Sequence, residues 1–481
     1  MAILNMKRPC LFFCEFFIRR FFMVKNMTDG KPFKLILTFT IPFLIGNLIQ
    51  QLYVIISTIF VSVFVGPQAL GGVGIASTIY FVMFGFATGA CNGFCIILAQ
   101  RFGAKRKKGI KISVATSMHL YIIFTIIVTL FSTILTKPIL LLINTPDEIF
   151  HHAYVFSMIL FFGAFSPIAY NLFSGMLRSV GDNKTPLIFL IISAILNIIF
   201  DFLTVAILKL GTAGAAISTV LAQLISSLLC LLFINKKYPF MWPTKKEWNI
   251  SKRYILAQVK MGIPMGLEFS VTGIGLILLQ KAVNKFGPEI IAGFAIAMRV
   301  ENLVIASFLA LATATATFTA QNFGAHKFNR IKKGAKSTFI IGLLLCFVFS
   351  GILLILWDKI TNLYLLTNDS GTTQEIKQEI KKAARNYIDI AVFNFPVLCV
   401  LITFRSLIQA IGKTFIPLMA GFCELVMRVM GAFVLTKFFG YTGVCLSPIC
   451  AWYGAFILVI CSYFYNIKKL TKQKSQILTP L

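Results

Sequence analysis

The sequence predicts an all-α polytopic membrane protein with twelve transmembrane helices in two related six-helix lobes. Three observations carry this prediction. Of 481 residues, 58% are hydrophobic and 13% charged, with a mean hydropathy of +0.86, whereas a soluble chain is typically about 45–50% apolar and about 25% charged. The apolar residues gather in runs of at least the roughly 20 residues that a membrane helix needs. The same short motifs also recur in both halves of the chain.

The elements follow in order. Residues 1–30 form a basic N-terminal segment whose apolar run, Leu11 to Val24, is interrupted by Glu15, Arg19 and Arg20. It suits a basic helix lying on the membrane surface, or untranslated sequence ahead of a start at Met27. The N-lobe, 31–235, holds apolar segments at approximately 34–65, 70–99, 112–136, 150–177, 185–208 and 211–234. A basic linker, 236–254, leads to the C-lobe, 255–466. Its segments lie at approximately 255–284, 289–320, 337–366, 383–408, 413–437 and 441–465, and 467–481 form a basic tail. Several segments exceed the spanning length, so tilt or bending is expected. Pro42, Pro264, Pro396 and Pro417 each lack an amide donor and can bend a helix. Pro42 and Pro264 stand at matching places and are the expected gating bends.

The formal net charge is +29. Its basic residues lie mainly between apolar runs: Arg101 to Lys111, Lys236 to Arg253, Lys327 to Lys336 and Lys468 to Lys474 share one side. Asp147, Glu148, Asp369, Glu375 and Glu379 mark the other. This bias puts both termini in the cytoplasm, which requires an even number of spans. No basic stripe interleaves with aromatics as strand binding would require, so nucleic acid is not an expected partner. The 11 cysteines fall largely within apolar runs and read as small apolar residues.

The internal repeat is the most informative pattern. Gln100-Arg-Phe-Gly-Ala104 returns as Gln321-Asn-Phe-Gly-Ala325, an offset of 221, and Pro42 returns as Pro264. Gly85, Gly89 and Gly93 correspond to Ala306, Ala310 and Ala314, small-residue ridges that let helices approach closely. Gly181-Asp-Asn-Lys-Thr-Pro186 matches Gly412-Lys-Thr-Phe-Ile-Pro417. Six spans per half give parallel repeats, an arrangement that places a substrate path between or within the lobes.

Ionisable groups at membrane depth are functional candidates, because a charged side chain there costs roughly 2.5–3.5 kcal/mol on insertion scales. Asp201 lies deep in the fifth segment with Asn197 one turn earlier, and no cation stands at helical spacing from it. Desolvation then favours its neutral form, which suits proton binding. Glu268 lies four residues after Pro264. Glu424 with Arg428, and Arg299 with Glu301, read as ion pairs that satisfy themselves. Gln50, Gln51 and Tyr53 put hydrogen-bonding groups in the first segment, for interhelix or substrate contacts. Enzyme signals are poor. The four histidines form no metalloprotease pair, and Gly412-Lys-Thr lacks the earlier glycine of a phosphate loop. No enzyme, cofactor or metal site is expected.

The sequence resembles the multidrug and toxic compound extrusion (MATE) family over 30–465. The resemblance rests on Ile41-Pro42 leading to Gln51-Leu-Tyr53, on both Gln-x-Phe-Gly-Ala motifs and on Leu177-Arg-Ser-Val-Gly-Asp-Asn-Lys-Thr-Pro186. Asn197-Ile-Ile-Phe-Asp201 and Gln409-Ala-Ile-Gly-Lys413 complete it. The resemblance implies an antiporter of the cell (inner) membrane that expels organic, often cationic, drugs or toxic metabolites in exchange for H+ or Na+, as a monomer in the bilayer. A lipid-linked precursor flippase of the same superfamily is the alternative. By the same resemblance, a cation site falls on Tyr53, Asn197, Asp201 and Thr219. Ser57 stands where the family usually has a second aspartate, and Glu268, where similar sequences carry glutamine, is a further cation-coupling candidate that supplies a carboxylate to the other lobe. Losing one carboxylate makes proton coupling the expectation over tight sodium binding.

Overall fold

In a computed structural model, the structure describes residues 26–143, 145–249, 251–366 and 374–478. The expectations for the segment before Asn26 lie outside the described residues. Helices α1 (Pro32–Phe64), α2 (Pro67–Gly103) and α3 (Lys107–Leu142) open the N-lobe. Helix α4 comes in two pieces, Asp147–Phe162 and Phe165–Ser179, bent by 49° at the break. Helices α5 (Lys184–Ile207) and α6 (Gly211–Lys237) close that lobe. The C-lobe contains α7 (Lys252–Val283), α8 (Pro288–Gly324), α9 (Phe328–Leu366), α10 (Gln374–Ala410), α11 (Phe415–Phe439) and α12 (Tyr441–Leu478). Among the described residues, eleven helices are long and apolar enough to cross a membrane, twelve with bent α4 as one span.

Each expected segment thus has its helix, with two differences. The fourth span breaks at Gly163–Ala164, where a Cβ on Gly163 would enter the Val220 side chain of α6. The last helix runs on through most of the basic tail, to Leu478. Pro42, Pro264 and Pro396 all sit inside continuous helices.

The repeat extends to the turns. Gly66 (φ 113°) and Gly287 (φ 79°) stand before Pro67 and Pro288, the first residues of α2 and α8. Glycine supplies the positive φ, and proline starts a helix whose first amide is unpaired in any case. Lys105 and His326 both take φ 55° after the Gln-x-Phe-Gly-Ala motifs, and Gly181 (φ 91°) matches Gly412 (φ 87°). The last turns of α5 (Phe202–Ile207) and a stretch of α11 (Gly431–Leu435) both widen into π-helix.

Three helix pairs contribute most to the join between the lobes: α2 on α7, α1 on α8 and α2 on α8. The glycine ridge explains the first. A Cβ on Gly93 would lie 2.7 Å from the Gly262 Cα, and one on Gly266 would lie 2.6 Å from the Phe86 carbonyl oxygen. Side chains would hold these backbones apart; their absence permits dispersion contact along the crossing. In the second pair, Asn47 Nδ2 donates to the Ala306 carbonyl at 3.0 Å. Met27, Ile36 and Phe39, at the start of the N-lobe, are buried in the C-lobe core. The outer faces stay apolar and exposed, as at Phe131, Ile134, Phe347 and Ile355, the surface expected against lipid. This is a multi-pass membrane protein.

Candidate functional site: a cavity between the lobes and a buried carboxyl beside it

A cavity of about 520 Å³ lies between the lobes, within the range of about 300–1,000 Å³ usual for small-molecule sites. Its apolar wall includes Phe81, Phe269, Met265, Met298 and Trp452. Six charged residues also line it: Arg178 from the N-lobe, and Glu268, Glu301, Arg405, Glu424 and Arg428 from the C-lobe.

Four of these form a chain. Glu268 Oε1 meets Arg405 Nη1 at 3.1 Å, Arg405 Nη2 meets Glu424 Oε2 at 3.0 Å, and Glu424 Oε1 meets Arg428 Nη2 at 2.7 Å. Gln409 Nε2 donates to Glu268 Oε2 at 2.6 Å. The expected Glu424–Arg428 pair is therefore part of a longer network from α7 through α10 to α11. Glu268 has cationic and amide partners that its own helix did not reveal. Arg405 and Tyr387 were missed in the sequence reading. The available signal was a lone arginine within an apolar run, which needs a carboxylate from another span.

The expected Arg299–Glu301 pair is not formed. Residues two apart on a helix point to different faces, and Arg299 is exposed while Glu301 is buried. Glu301 Oε2 instead accepts from the Tyr387 hydroxyl at 2.7 Å, and its Oε1 has no hydrogen-bond partner.

Asp201 sits apart from this cavity, fully buried in the N-lobe where α5 begins its π-helical turns. The Ser57 and Ser218 hydroxyls face its carboxyl. The Asn197 amide satisfies both its ends with its nitrogen on Asp201 Oδ2 (3.3 Å) and its oxygen on the Thr219 amide (3.3 Å). Thr204 Oγ1 holds Ser218 Oγ at 2.8 Å. Tyr53 is buried nearby, flanked by Gln50 and Gln223. The structure thus gathers Asp201, Asn197, Thr219, Ser57 and Tyr53, and adds Ser218. It does not bring Glu268 to them. Gln51 lines the central cavity; Gln50 and Pro42 line a smaller N-lobe chamber of about 120 Å³. Pro264 lies in α7 between Gly262 and Gly266, where α2 crosses.

At the end bearing the basic loops, the lobes clasp. Gln100 Nε2 donates to the Ala410 carbonyl and Gln321 Nε2 to the Ser179 carbonyl, both at 2.8 Å. Each repeat's glutamine therefore reaches the end of the fourth helix in the other lobe. Met27 N donates to Gln321 Oε1 at 3.0 Å, and its carbonyl accepts from Asn322 Nδ2 at 3.1 Å. Lys327 Nζ meets Asp29 Oδ1 at 2.8 Å, and Arg330 Nη1 donates to the Gly30 carbonyl at 2.9 Å.

The MatE family model matches residues 42–203 and again 264–434, once in each lobe. The chain belongs to the MatE family. Its two matched regions each begin at the repeated proline, Pro42 or Pro264. Among MatE relatives, it is 29% identical over 308 residues to the probable multidrug resistance protein YpnP of Bacillus subtilis, covering 64% of this chain and 68% of that one. It is 24% identical over 449 residues to the probable multidrug resistance protein YoeA of the same organism, covering 91% and 94%. The fold superposes with a TM-score of 0.80 on an outward-facing multidrug resistance MATE family transporter of the MOP superfamily. That match is at 23% identity and covers 95% of this chain and 98% of the other.

Proposed function

We propose that this MatE protein is a secondary multidrug antiporter, exporting organic and often cationic compounds in exchange for protons by alternating access. The observation that carries the proposal is the cavity closed at one end by the crossed Gln100 and Gln321 bonds. A site between two lobes that touch at one end becomes accessible from the other side when the lobes rock. The names of the B. subtilis relatives support drugs as the cargo and do not favour the lipid-linked precursor alternative. With both termini in the cytoplasm, the clasped end is the inner one and the conformation faces outward.

Asp201 is the proposed ion site. It has one carboxylate, neutral hydroxyl and amide neighbours, and an Oδ1 without a hydrogen bond. A proton supplies the missing donor directly. Because Asp201 is sealed from the cavity in this conformation, drug and proton exchange through movement of the N-lobe helices, without sharing one pocket. The test is efflux of a cationic dye from vesicles under separately imposed proton and sodium gradients. Proton-driven efflux is expected; efflux driven by sodium alone would overturn the coupling assignment, and none with either gradient would overturn antiport.

A further inference from the structure

The six charges around the central cavity do not cancel pair by pair. Glu268, Arg405, Glu424 and Arg428 neutralise one another within their chain. One carboxylate, Glu301, and one guanidinium, Arg178, remain outside it, on opposite lobes. Arg178 is nine-tenths buried, yet among the described residues its guanidinium makes no ion pair and no hydrogen bond; its one contact of note is the Phe43 ring, 5.0 Å from the guanidinium carbon. Asp182, one turn beyond, is turned elsewhere: its oxygens take the Thr185 amide and hydroxyl and the Tyr238 hydroxyl.

Arg178 also stands at the junction of the two cavities, since it lines both. The smaller chamber has no other charged residue in its wall. Asn47, Asn92, Asn171 and Thr88 surround it with neutral donors. A buried guanidinium is expensive to keep unpaired, and its planar fork matches a carboxylate with two parallel bonds. Open to the cavity and free of protein acceptors, it has the chemistry of an oxyanion subsite.

We propose that Arg178 binds a carboxylate carried by the transported compound, while Glu301 on the opposite lobe receives its cationic part. The cargo class is then amphoteric organic molecules as well as simple cations. This rests on the multidrug reading and sharpens it.

Rhodamine 110 and rhodamine 123 form a matched probe pair, a free carboxylate and its methyl ester on the same cationic ring system. Binding of both is measured by fluorescence anisotropy to protein in phosphatidylcholine nanodiscs, for wild type, Arg178→Gln and Arg178→Lys. Wild type is expected to bind both dyes. Arg178→Gln should weaken rhodamine 110 by at least about tenfold, the scale of a charged hydrogen-bonded contact, and change rhodamine 123 by less than about twofold. Arg178→Lys should recover part of the loss, and retained rhodamine 123 binding shows that both variants are folded. Equal loss of both dyes, or no loss of rhodamine 110, would overturn the assignment. Binding of rhodamine 123 alone by wild type would overturn it while leaving multidrug export standing; binding of neither dye would remove both. Repeating the titration with phosphatidylglycerol in the discs should leave rhodamine 110 affinity unchanged. A tenfold loss there would assign Arg178 to lipid headgroups instead.

Discussion

Gly103 of α2 lies against the main-chain carbonyl of Gln321 in α8, with no room for a Cβ between them. Its repeat partner Gly324 meets the Gln100 carbonyl in the same way. At the basic end the lobes therefore touch backbone to backbone, beside the crossed glutamine bonds.

Gly103→Ala should force that contact open. Overpacking of this kind typically costs about 1–3 kcal/mol, enough to shift a two-state population at least about fivefold. Spin labels on Lys108→Cys and Lys333→Cys, one in each lobe, should show a longer distance in the Gly103→Ala background. An unchanged distance distribution would mean that the contact does not hold the lobes together.

Asp201→Asn should abolish proton-driven dye efflux and leave dye affinity in the central cavity within about twofold of wild type. The carboxyl lines neither cavity, so its loss removes coupling without removing contacts to cargo. Efflux assays and equilibrium titration on the same preparation separate the two. Full coupled efflux by this variant would remove Asp201 from the mechanism.

Glu268→Gln should act mainly on stability. Removing one member of a buried ion network leaves its partner short of countercharge, typically at a cost of about 3–5 kcal/mol. Arg405 keeps Glu424 at 3.0 Å, so the loss should fall toward the lower end of that range. The double variant Glu268→Gln, Arg405→Met leaves Glu424 and Arg428 as a neutral pair and should recover most of it. Thermal unfolding in detergent measures both; equal melting temperatures for wild type and Glu268→Gln would show that the network contributes nothing.

The Asp29–Lys327 contact outside the membrane gives a pH signature. The hydrogen bond from Lys327 holds the Asp29 carboxyl below its ordinary value of 3.8, against a smaller opposing effect of burial. A carboxyl lowered in the folded state adds stability above its unfolded value, which is lost as pH falls through the folded one. The melting-temperature gap between wild type and Asp29→Asn should thus be constant from pH 8 to pH 5 and close only below the ordinary aspartate range. A gap that closes near neutrality would place the titrating group elsewhere.

The twelve spans and the lobe symmetry were legible in the sequence because lipid enforces one pattern, a long apolar run, and duplication writes it twice. Asn197 and Asp201 could be paired from a single helix, since one turn separates them. Glu268 and Arg405 could not: their partners come from α7, α10 and α11, and nothing local fixes which spans meet. The Arg299–Glu301 error has the same root, sequence proximity read as contact where the helix turns the two side chains apart. Arg178 was visible only as part of a motif, because its distinction is the absence of a partner, which only three-dimensional packing reveals.

The broken α4 has a counterpart in α10, which runs unbroken through Pro396 from Gln374 to Ala410. The lobes therefore share a plan but differ in the continuity of the fourth helix. At Gly163–Ala164 the helical ladder is already interrupted, though the Gly163 and Ala164 carbonyls still accept from the Ser166 and Ile168 amides, whereas a continuous helix must break part of its ladder to bend. The interrupted helix belongs to the lobe that contains Asp201. In the proposed mechanism the interrupted helix and the proton site therefore share the N-lobe, while the ion network from Glu268 to Arg428 ties three helices of the C-lobe together.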